Sequence, residues 1–194
     1  MNTTNLLTLA ALLSLAGCKG DKTSSEGAPA AKASVDVAAV NAGVPEALVA
    51  KITFSQANLD DDRIIAAVPS GWESKHIPGR YKPAAGADLG FFTSFGVGSN
   101  CDGSCADKDW KATADKVEFE QFTSKDGVVK DEAIEGGRFL KAKDGESVHL
   151  VFAWWKKGAS RYFFCRATLE GADALSAEPA FDKACRSMVI AKWN

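Results

Sequence analysis

The chain has 194 residues, of which 25 are Asp or Glu and 23 are Lys or Arg, so its formal net charge at pH 7 is −2. Acidic and basic residues are interspersed and form no basic patch that would follow a phosphate backbone, so nucleic-acid binding is not expected. Once N-terminal targeting and linker segments are set aside, the length suits one domain.

The N-terminus is typical of a secretory signal. Leu6 to Ala16 is a run dominated by Leu and Ala, shorter than the roughly 20 apolar residues that span a bilayer. The motif Leu15-Ala16-Gly17-Cys18 resembles the lipobox of bacterial lipoproteins. That resemblance implies cleavage before Cys18 and lipidation of its thiol, and the following Lys19 implies sorting to the outer membrane. A cleaved signal without lipid, or a buried N-terminal helix, would leave the position of Cys18 unexplained.

Composition sets the expected domain boundaries. Residues 1–17 are the predicted signal peptide. Residues 18–43 begin with the lipidated cysteine and are rich in Ala, Ser, Gly and Lys. Because such a segment cannot bury enough apolar surface to fold, we predict a flexible tether there. Residues 44–194 are then predicted to form a single globular domain.

Turn residues and hydrophobic periodicity divide this domain into strands and helices. The sequence predicts a strand at 64–68, a long loop at 72–88, a strand at 89–97, a helix at about 107–119, strands at 128–134, 137–142, 147–155 and 161–169, and a final helix at 178–188. The strand at 147–155 is apolar on both faces, which is typical of a central strand covered on both sides. The order of elements indicates an α+β fold in which helices sandwich an antiparallel β-sheet.

Two short segments carry a resemblance to a known fold. The run from Ile64 to Trp72 resembles the opening strand and Pro-x-Gly-Trp turn of PsbP-like domains. The segment from Phe181 to Ile190 is similar to their last helix and exit. The resemblance implies a PsbP-like α-β-α sandwich, a fold that in that family serves accessory and binding roles more often than catalysis.

Cysteine usage indicates a disulfide-bonded domain. With Cys18 assigned to the lipid, Cys101, Cys105, Cys165 and Cys185 remain. An even number outside the cytoplasm indicates two disulfides, for which three pairings exist. We favour Cys101–Cys105, which spans good turn residues, and Cys165–Cys185, which would join the last helix to the sheet.

The segment around Cys101 and Cys105 allows three interpretations. The one we favour is a structural disulfide that closes the loop before the helix. The second is a metal or redox site, because the spacing resembles the CxxxC copper site of Sco-family proteins; His149 would be a third ligand if the fold brings it close. The third is a calcium loop, although the EF-hand spacing is absent. Its candidate ligands are Asn100, Asp102, Ser104, Asp107 and Asp109.

Other candidate features are weaker. The run Asp60-Asp61-Asp62 is expected to be a solvated turn. Trp110 and Trp154 are expected in the core, whereas Trp155 and Trp193 are the expected exposed pair that could contribute to a binding face.

The sequence therefore predicts a lipid-anchored protein of the bacterial cell envelope, held at the outer membrane. No nucleophile motif accompanies the histidines, so we expect a non-catalytic binding or assembly-accessory domain, with no cofactor. Its expected partners are the membrane, through the N-terminal lipid, and an envelope protein or small ligand bound on one sheet face or on the 72–88 loop. The alternative is a periplasmic copper-binding or thiol-redox protein that uses Cys101 and Cys105.

Overall fold

The computed structural model describes residues 33–74, 78–101, 108–123 and 127–194. The strands are β1 (Phe54–Leu59), β2 (Ile64–Pro69), β3 (Arg80–Tyr81), β4 (Ser94–Asn100), β5 (Val128–Ile134), β6 (Gly137–Asp144), β7 (Ser147–Trp154), β8 (Tyr162–Glu170) and β9 (Val189–Ile190). The helices are α1 (Val37–Asn41), α2 (Trp110–Ala114), α3 (Glu120–Thr123), α4 (Gly171–Ser176) and α5 (Glu178–Arg186). A 3₁₀ turn lies at Glu46–Leu48 and a π-helical turn at Asp115–Phe119. The α+β class with antiparallel sheets is confirmed.

The larger sheet has six antiparallel strands in the order β3-β4-β8-β7-β6-β5. Successive hairpins connect β5 to β6, β6 to β7 and β7 to β8. The β6–β7 turn contains Gly145 at a φ of 61°. Glycine adopts this left-handed conformation without the steric cost that a side chain would add. Strand β4 comes before these hairpin strands in the chain and pairs with β8. Strand β8 therefore lies between β4 and β7.

Strand β7 is buried on both faces, as its two-sided apolar pattern predicts. Leu150 and Phe152 lie in a core that α5 and the smaller sheet complete. Val151 and Ala153 lie in a second core that includes residues of α2 and of the π-helical turn. The two cores explain why no alternation of polar and apolar residues marks this strand.

The smaller sheet has three antiparallel strands in the order β1-β2-β9. Every residue of β2 is buried. The ring of Phe54 at the start of β1 makes edge contacts with Phe95 of β4 and Phe181 of α5, at centroid distances of 6.2 and 5.3 Å. These aromatic contacts join the smaller sheet, the larger sheet and α5 in one core.

A disulfide joins α5 to the larger sheet. Cys165 of β8 bonds to Cys185 of α5; their Cα atoms are 5.4 Å apart and the two residues are 20 positions apart in sequence. This is the pairing that the sequence analysis favoured. Both cysteines are fully buried, so the bond lies inside the core rather than on the surface.

The folded unit begins earlier than the boundary predicted at residue 44. Val35 and Val40 are buried in the core, although they belong to the predicted tether at 18–43. The side-chain amide of Asn41 pairs with the backbone of Phe54, accepting from its N–H at 2.7 Å and donating to its carbonyl at 3.0 Å. Few large apolar residues precede Val35, so composition alone assigned this short helical segment to the tether.

Three other predicted boundaries are wrong in detail. The strand predicted at 89–97 begins only at Ser94, because Asp88 and Gly90 have φ values of 51° and 86° that interrupt extended backbone. The helix predicted to end near residue 119 continues to Thr123 through the π-helical turn. The final helix, predicted at 178–188, ends at Arg186. Helix α4, which lies just before it in the chain, was not predicted.

Candidate functional site

A groove crosses the face of the six-stranded sheet that carries α2 and α3, alongside those helices. It consists of two adjoining depressions of about 660 and 540 Å³, and we call it the sheet groove. The two depressions share the residues Arg80, Ser94, Asp144, His149 and Thr168. The groove therefore runs over β3, β4, β8 and β7, and part of the predicted 72–88 loop forms its wall.

Glycines of β4 keep the floor of the sheet groove low. Phe95 and Val97 alternate into the core, so Gly96 and Gly98 lie on the opposite face of the strand, where Gly96 lines the groove. A Cβ at Gly98 would lie 2.9 Å from the ring of Phe164, so that ring occupies the space above Gly98. A Cβ at Gly96 would have no neighbour closer than 3.9 Å, so Gly96 is an open floor position.

An aromatic wall borders the groove on the side of α3. The ring of Phe122 lies 4.8 Å from the ring of His149, centroid to centroid. The Nδ1 atom of His149 is hydrogen-bonded to Thr168 Oγ1 at 3.2 Å. His149 is thus a half-buried groove residue that its neighbours hold in one orientation.

Arg166 is the groove residue with the most extensive support. Its guanidinium lies over the ring of Phe164, 4.3 Å from the centroid. Its Nη2 donates to Glu118 Oε1 at 2.9 Å, and its Nε lies 2.6 Å from Glu118 Oε2. Tyr162 also donates to Glu118 Oε1, at 2.8 Å, and Asn100 Nδ2 donates to the Tyr162 hydroxyl at 3.1 Å. We call Asn100, Glu118, Tyr162 and Arg166 the Glu118 network.

Burial dominates the electrostatics of this network. Loss of solvent raises the pKa of the Glu118 carboxyl above its usual value, although Arg166 and Tyr162 act in the opposite direction. Burial, followed by the adjacent Glu118, also raises the pKa of the Tyr162 hydroxyl. Tyr162 therefore stays a proton donor at neutral pH. Arg166, paired with a carboxylate beneath it, offers oriented N–H groups to the groove rather than an uncompensated charge.

Sequence analysis missed Glu118 because of the π-helical turn. Trp110, Ala114 and Val117 recur at helical spacing, which predicts that all three lie on one buried face. In the structure Val117 is 40% exposed and Glu118 is fully buried. A π turn adds one residue to the helical repeat and changes which side chain faces inward. A charged residue in an otherwise amphipathic helix gave no signal that could have revealed this burial.

The structure separates the predicted copper ligands. Asn100, which precedes Cys101, pairs with Tyr162, whereas His149 pairs with Thr168. The two partner residues, Tyr162 and Thr168, are six residues apart on β8, which is roughly 20 Å along a strand. His149 therefore does not join Cys101 in one metal site.

The remaining cysteine predictions have different outcomes. Cys101 is disulfide-bonded. Its predicted partner Cys105 and the predicted lipidation site Cys18 lie outside the described residues, so the Cys101–Cys105 bond and the lipidation stay predictions. Asp102, Ser104 and Asp107 of the calcium alternative also lie outside them. Among the residues that the structure describes, no group of three or more His, Cys, Asp or Glu side chains could hold a metal ion.

Asp60-Asp61-Asp62 forms the β1–β2 turn, with φ values of 53°, 52° and 59°. Asp60 is not merely solvated, because Ser99 Oγ donates to its Oδ2 at 2.6 Å. Arg161 in turn donates to Ser99 Oγ at 3.0 Å. These bonds connect the smaller sheet to the larger one, which is a structural role.

The tryptophans differ partly from expectation. Trp110 is buried, and its Nε1 donates to the Ala159 carbonyl at 2.7 Å. Trp154 is partly buried and stacks on Phe152. Trp155 and Trp193, the expected exposed pair, are both half-buried, and Trp193 packs edge-on against Phe163. Trp193 is thus a core-edge residue rather than part of a binding face.

No protein-family model and no curated protein matches the chain. A search of solved structures finds similarity to the Ran-binding protein Mog1p of Saccharomyces cerevisiae, with 11% sequence identity and a TM-score of 0.46. The matched region covers 72% of this chain and 96% of Mog1p. Similarity of this degree carries no argument about the function of the present chain. None of the helices within the described residues is long and apolar enough to cross a membrane.

Proposed function

We propose that the chain is a lipid-anchored protein of the bacterial cell envelope whose domain is a non-catalytic binding or assembly-accessory module. Its ligand or partner occupies the sheet groove. The observation that carries this proposal is the groove itself, which is preformed, open to solvent and built on strands rather than on loops. Sites of this kind, with a few oriented polar groups, are the usual binding sites of proteins.

The chemistry of the groove supports binding rather than catalysis. The buried carboxylate beneath it, Glu118, is covered by Arg166 and Tyr162 and does not reach a ligand as an acid or base. The groups that do face the groove are hydrogen-bond donors and acceptors held in place, such as Arg166 and Thr168. They suit an extended polar ligand, for which orientation matters more than proton transfer.

We also propose the finer architecture, a PsbP-like α-β-α sandwich. Two buried clusters support it: α5 packs on one face of the central sheet, and α2 with the π-helical turn packs on the other. An accessory role in the envelope fits such a layout.

The lipid anchor rests on the lipobox and is tested directly. The full-length chain, produced in a bacterium that processes lipoproteins, is expected to begin at Cys18 and to carry the mass of a diacylglyceryl group. It is expected to fractionate with the outer membrane, and Cys18→Ser abolishes both properties. A mature chain that begins elsewhere, or lacks the added mass, contradicts the anchor.

The groove is tested by photo-crosslinking in intact envelopes. A benzoylphenylalanine at Ser94, inside the groove, is expected to form a specific adduct, and the same residue at the exposed Lys183 of α5 is not. Gly96→Phe fills the open floor position and is expected to abolish the adduct while leaving the fold intact. Adducts that form equally at both positions, or that persist when the groove is filled, contradict groove binding.

The copper or thiol-redox alternative has less support, since Cys101 is disulfide-bonded and His149 lies roughly 20 Å away along the sheet. Thiol counting on the native protein separates the two functions. Oxidised cysteines that resist mild reductant agree with a structural role, and stable copper uptake that Cys101→Ser abolishes would establish the alternative.

A further inference from the structure

A second surface feature lies at the opposite end of the larger sheet from the β6–β7 turn. The β7–β8 hairpin and the start of α2 enclose a depression of about 480 Å³. Its lining includes the side chains of four lysines and of Trp155, and we call these five residues the basic hairpin patch. The lysines are Lys108, Lys111, Lys156 and Lys157. In a chain of net charge −2, this is a local concentration of positive charge.

The patch is held rigidly although it is built on a loop. The indole of Trp110, buried beneath it, donates to the Ala159 carbonyl of the hairpin at 2.7 Å. The side chain of Asn194 accepts from the Ser160 N–H at 2.9 Å. Ala159 is itself buried. The hairpin is therefore fixed to the core at its base, so its lysines are presented without a large loss of loop entropy on binding.

An aromatic ring lies among these charges. The Nζ atom of Lys111 is 5.8 Å from the ring centroid of Trp155 and 2.5 Å from Asp115 Oδ2. Trp155 is half-buried, so one part of its ring packs on the core and the rest is open to solvent. A tryptophan beside lysines is the combination that proteins place at the boundary between bilayer headgroups and acyl chains. Asp109 and Asp115 reduce the positive charge of the patch without cancelling it.

We propose that the basic hairpin patch docks the domain onto an anionic phospholipid surface. The inference rests on the proposed lipid anchor, which would keep the domain near a bilayer. If the segment from Cys18 to Val35 is flexible as predicted, its 17 residue steps (35 − 18) give a root-mean-square reach of roughly 23 Å and a maximum of roughly 60 Å. When the patch lies within a Debye length of an anionic leaflet, each lysine adds about 1 kcal/mol of attraction, or about fivefold in the docking equilibrium.

The test uses the full-length lipidated chain in vesicles of phosphatidylcholine, with or without one quarter phosphatidylglycerol, whose acyl chains carry bromine. Quenching of tryptophan fluorescence reports contact with the bilayer. We expect quenching in the phosphatidylglycerol vesicles that falls steeply when NaCl is raised from about 50 to about 500 mM, because that salt shortens the Debye length to roughly 4 Å. Trp155→Phe removes most of the quenching, which assigns it to the patch.

The charge variant is Lys156→Gln with Lys157→Gln, expected to shift the docking equilibrium by roughly 25-fold toward the undocked state. The matched control is Lys143→Gln with Lys183→Gln, two exposed lysines outside the patch, which is expected to quench as the wild type does. Equal quenching with and without phosphatidylglycerol, or equal effects of the two double variants, overturns the proposal.

The anchor and the patch fail in distinguishable ways. Co-flotation with phosphatidylcholine vesicles in high salt reports the lipid anchor alone. A chain that floats there but shows no salt-sensitive quenching keeps the anchor and loses the patch. A chain that floats only with phosphatidylglycerol vesicles in low salt, and whose flotation requires Lys156 and Lys157, keeps the patch and loses the anchor.

Discussion

Replacing Glu118 tests the balance of forces in the Glu118 network. Alanine removes the acceptor of the fully buried Tyr162 hydroxyl, and an unsatisfied buried donor costs about 1–3 kcal/mol. It also removes the ion-pair partner of Arg166. Because the Arg166 side chain is 32% exposed, breaking this pair costs less than the roughly 3–5 kcal/mol that breaking a fully buried pair costs. We expect Glu118→Ala to lower the free energy of unfolding by about 3 kcal/mol.

Glutamine at the same position separates charge from shape. Glu118→Gln keeps the size of the side chain and an oxygen that accepts from Tyr162, but it removes the negative charge and the titration. We expect a loss of about 1–2 kcal/mol in the free energy of unfolding at pH 7. Because Glu118 itself no longer titrates in this variant, it is the reference for the pH dependence of the wild type.

The sign of that pH dependence follows from the raised pKa of Glu118. In the folded state its carboxyl holds its proton more tightly than in the unfolded chain, where the usual pKa is 4.5. Its favourable contribution is therefore complete below about pH 4.5 and is lost as pH rises through the folded-state pKa. The stability of the wild type relative to Glu118→Gln should be greater at pH 4.5 than at pH 7.5.

Urea unfolding of both proteins across this pH range, followed by tryptophan fluorescence, measures the difference directly. The other carboxylates are common to both proteins and cancel in the comparison. A relative stability that instead falls on acidification would show that the pair with Arg166 outweighs burial, and would refute the reasoning about the network.

Four further variants test the core and the groove floor. Replacing Cys165 and Cys185 together by alanine is expected to lower the free energy of unfolding by about 3 kcal/mol, because the bond joins residues 20 positions apart in the chain. The measurement is urea denaturation against the disulfide-bonded wild type, and equal stability of the two proteins would contradict this contribution of the bond. Trp110→Phe is expected to lower the free energy of unfolding by about 1–2 kcal/mol, because it leaves the Ala159 carbonyl without its hydrogen-bond donor. Calorimetry should show a lower melting temperature, and an unchanged one would mean that other contacts fix the hairpin. Gly98→Ala is expected to cost about 1–3 kcal/mol because its Cβ would lie 2.9 Å from an aromatic ring, whereas Gly96→Ala is expected to be nearly neutral, and equal effects in chemical denaturation would contradict this account of the floor.

The sequence predicted the larger sheet well where the pattern was local. Strands β5 to β8 and their turns follow from alternation and from glycine at the turns, because hairpin pairing needs only neighbouring segments. The pairing of Cys165 with Cys185 followed from the expected faces of one strand and one helix. Where a strand lacks such a pattern, as in β1 with its Ser, Gln and Asn residues, no prediction was made.

The candidate site was predicted only in outline. One sheet face and the 72–88 loop were expected to bind, and the groove does involve Arg80 and the face of β4 and β8. Its central group, Glu118, was not expected, because the register of the π-helical turn depends on how the helix packs. The exposure expected for Trp193 was wrong for the same reason, since its contact with Phe163 joins residues distant in sequence.

The sequence by itself indicated the strand pattern, the α+β class and the disulfide of the last helix, and it contains the lipobox-like motif on which the proposed anchor rests. These features depend on local periodicity, on turn residues or on a short motif. Only the tertiary structure decided that Val35 and Val40 belong to the core, that β4 lies beside β8, and that a buried Glu118 supports a groove-facing Arg166. Each of these depends on free energies of burial and pairing between segments far apart in the chain, which no local pattern records.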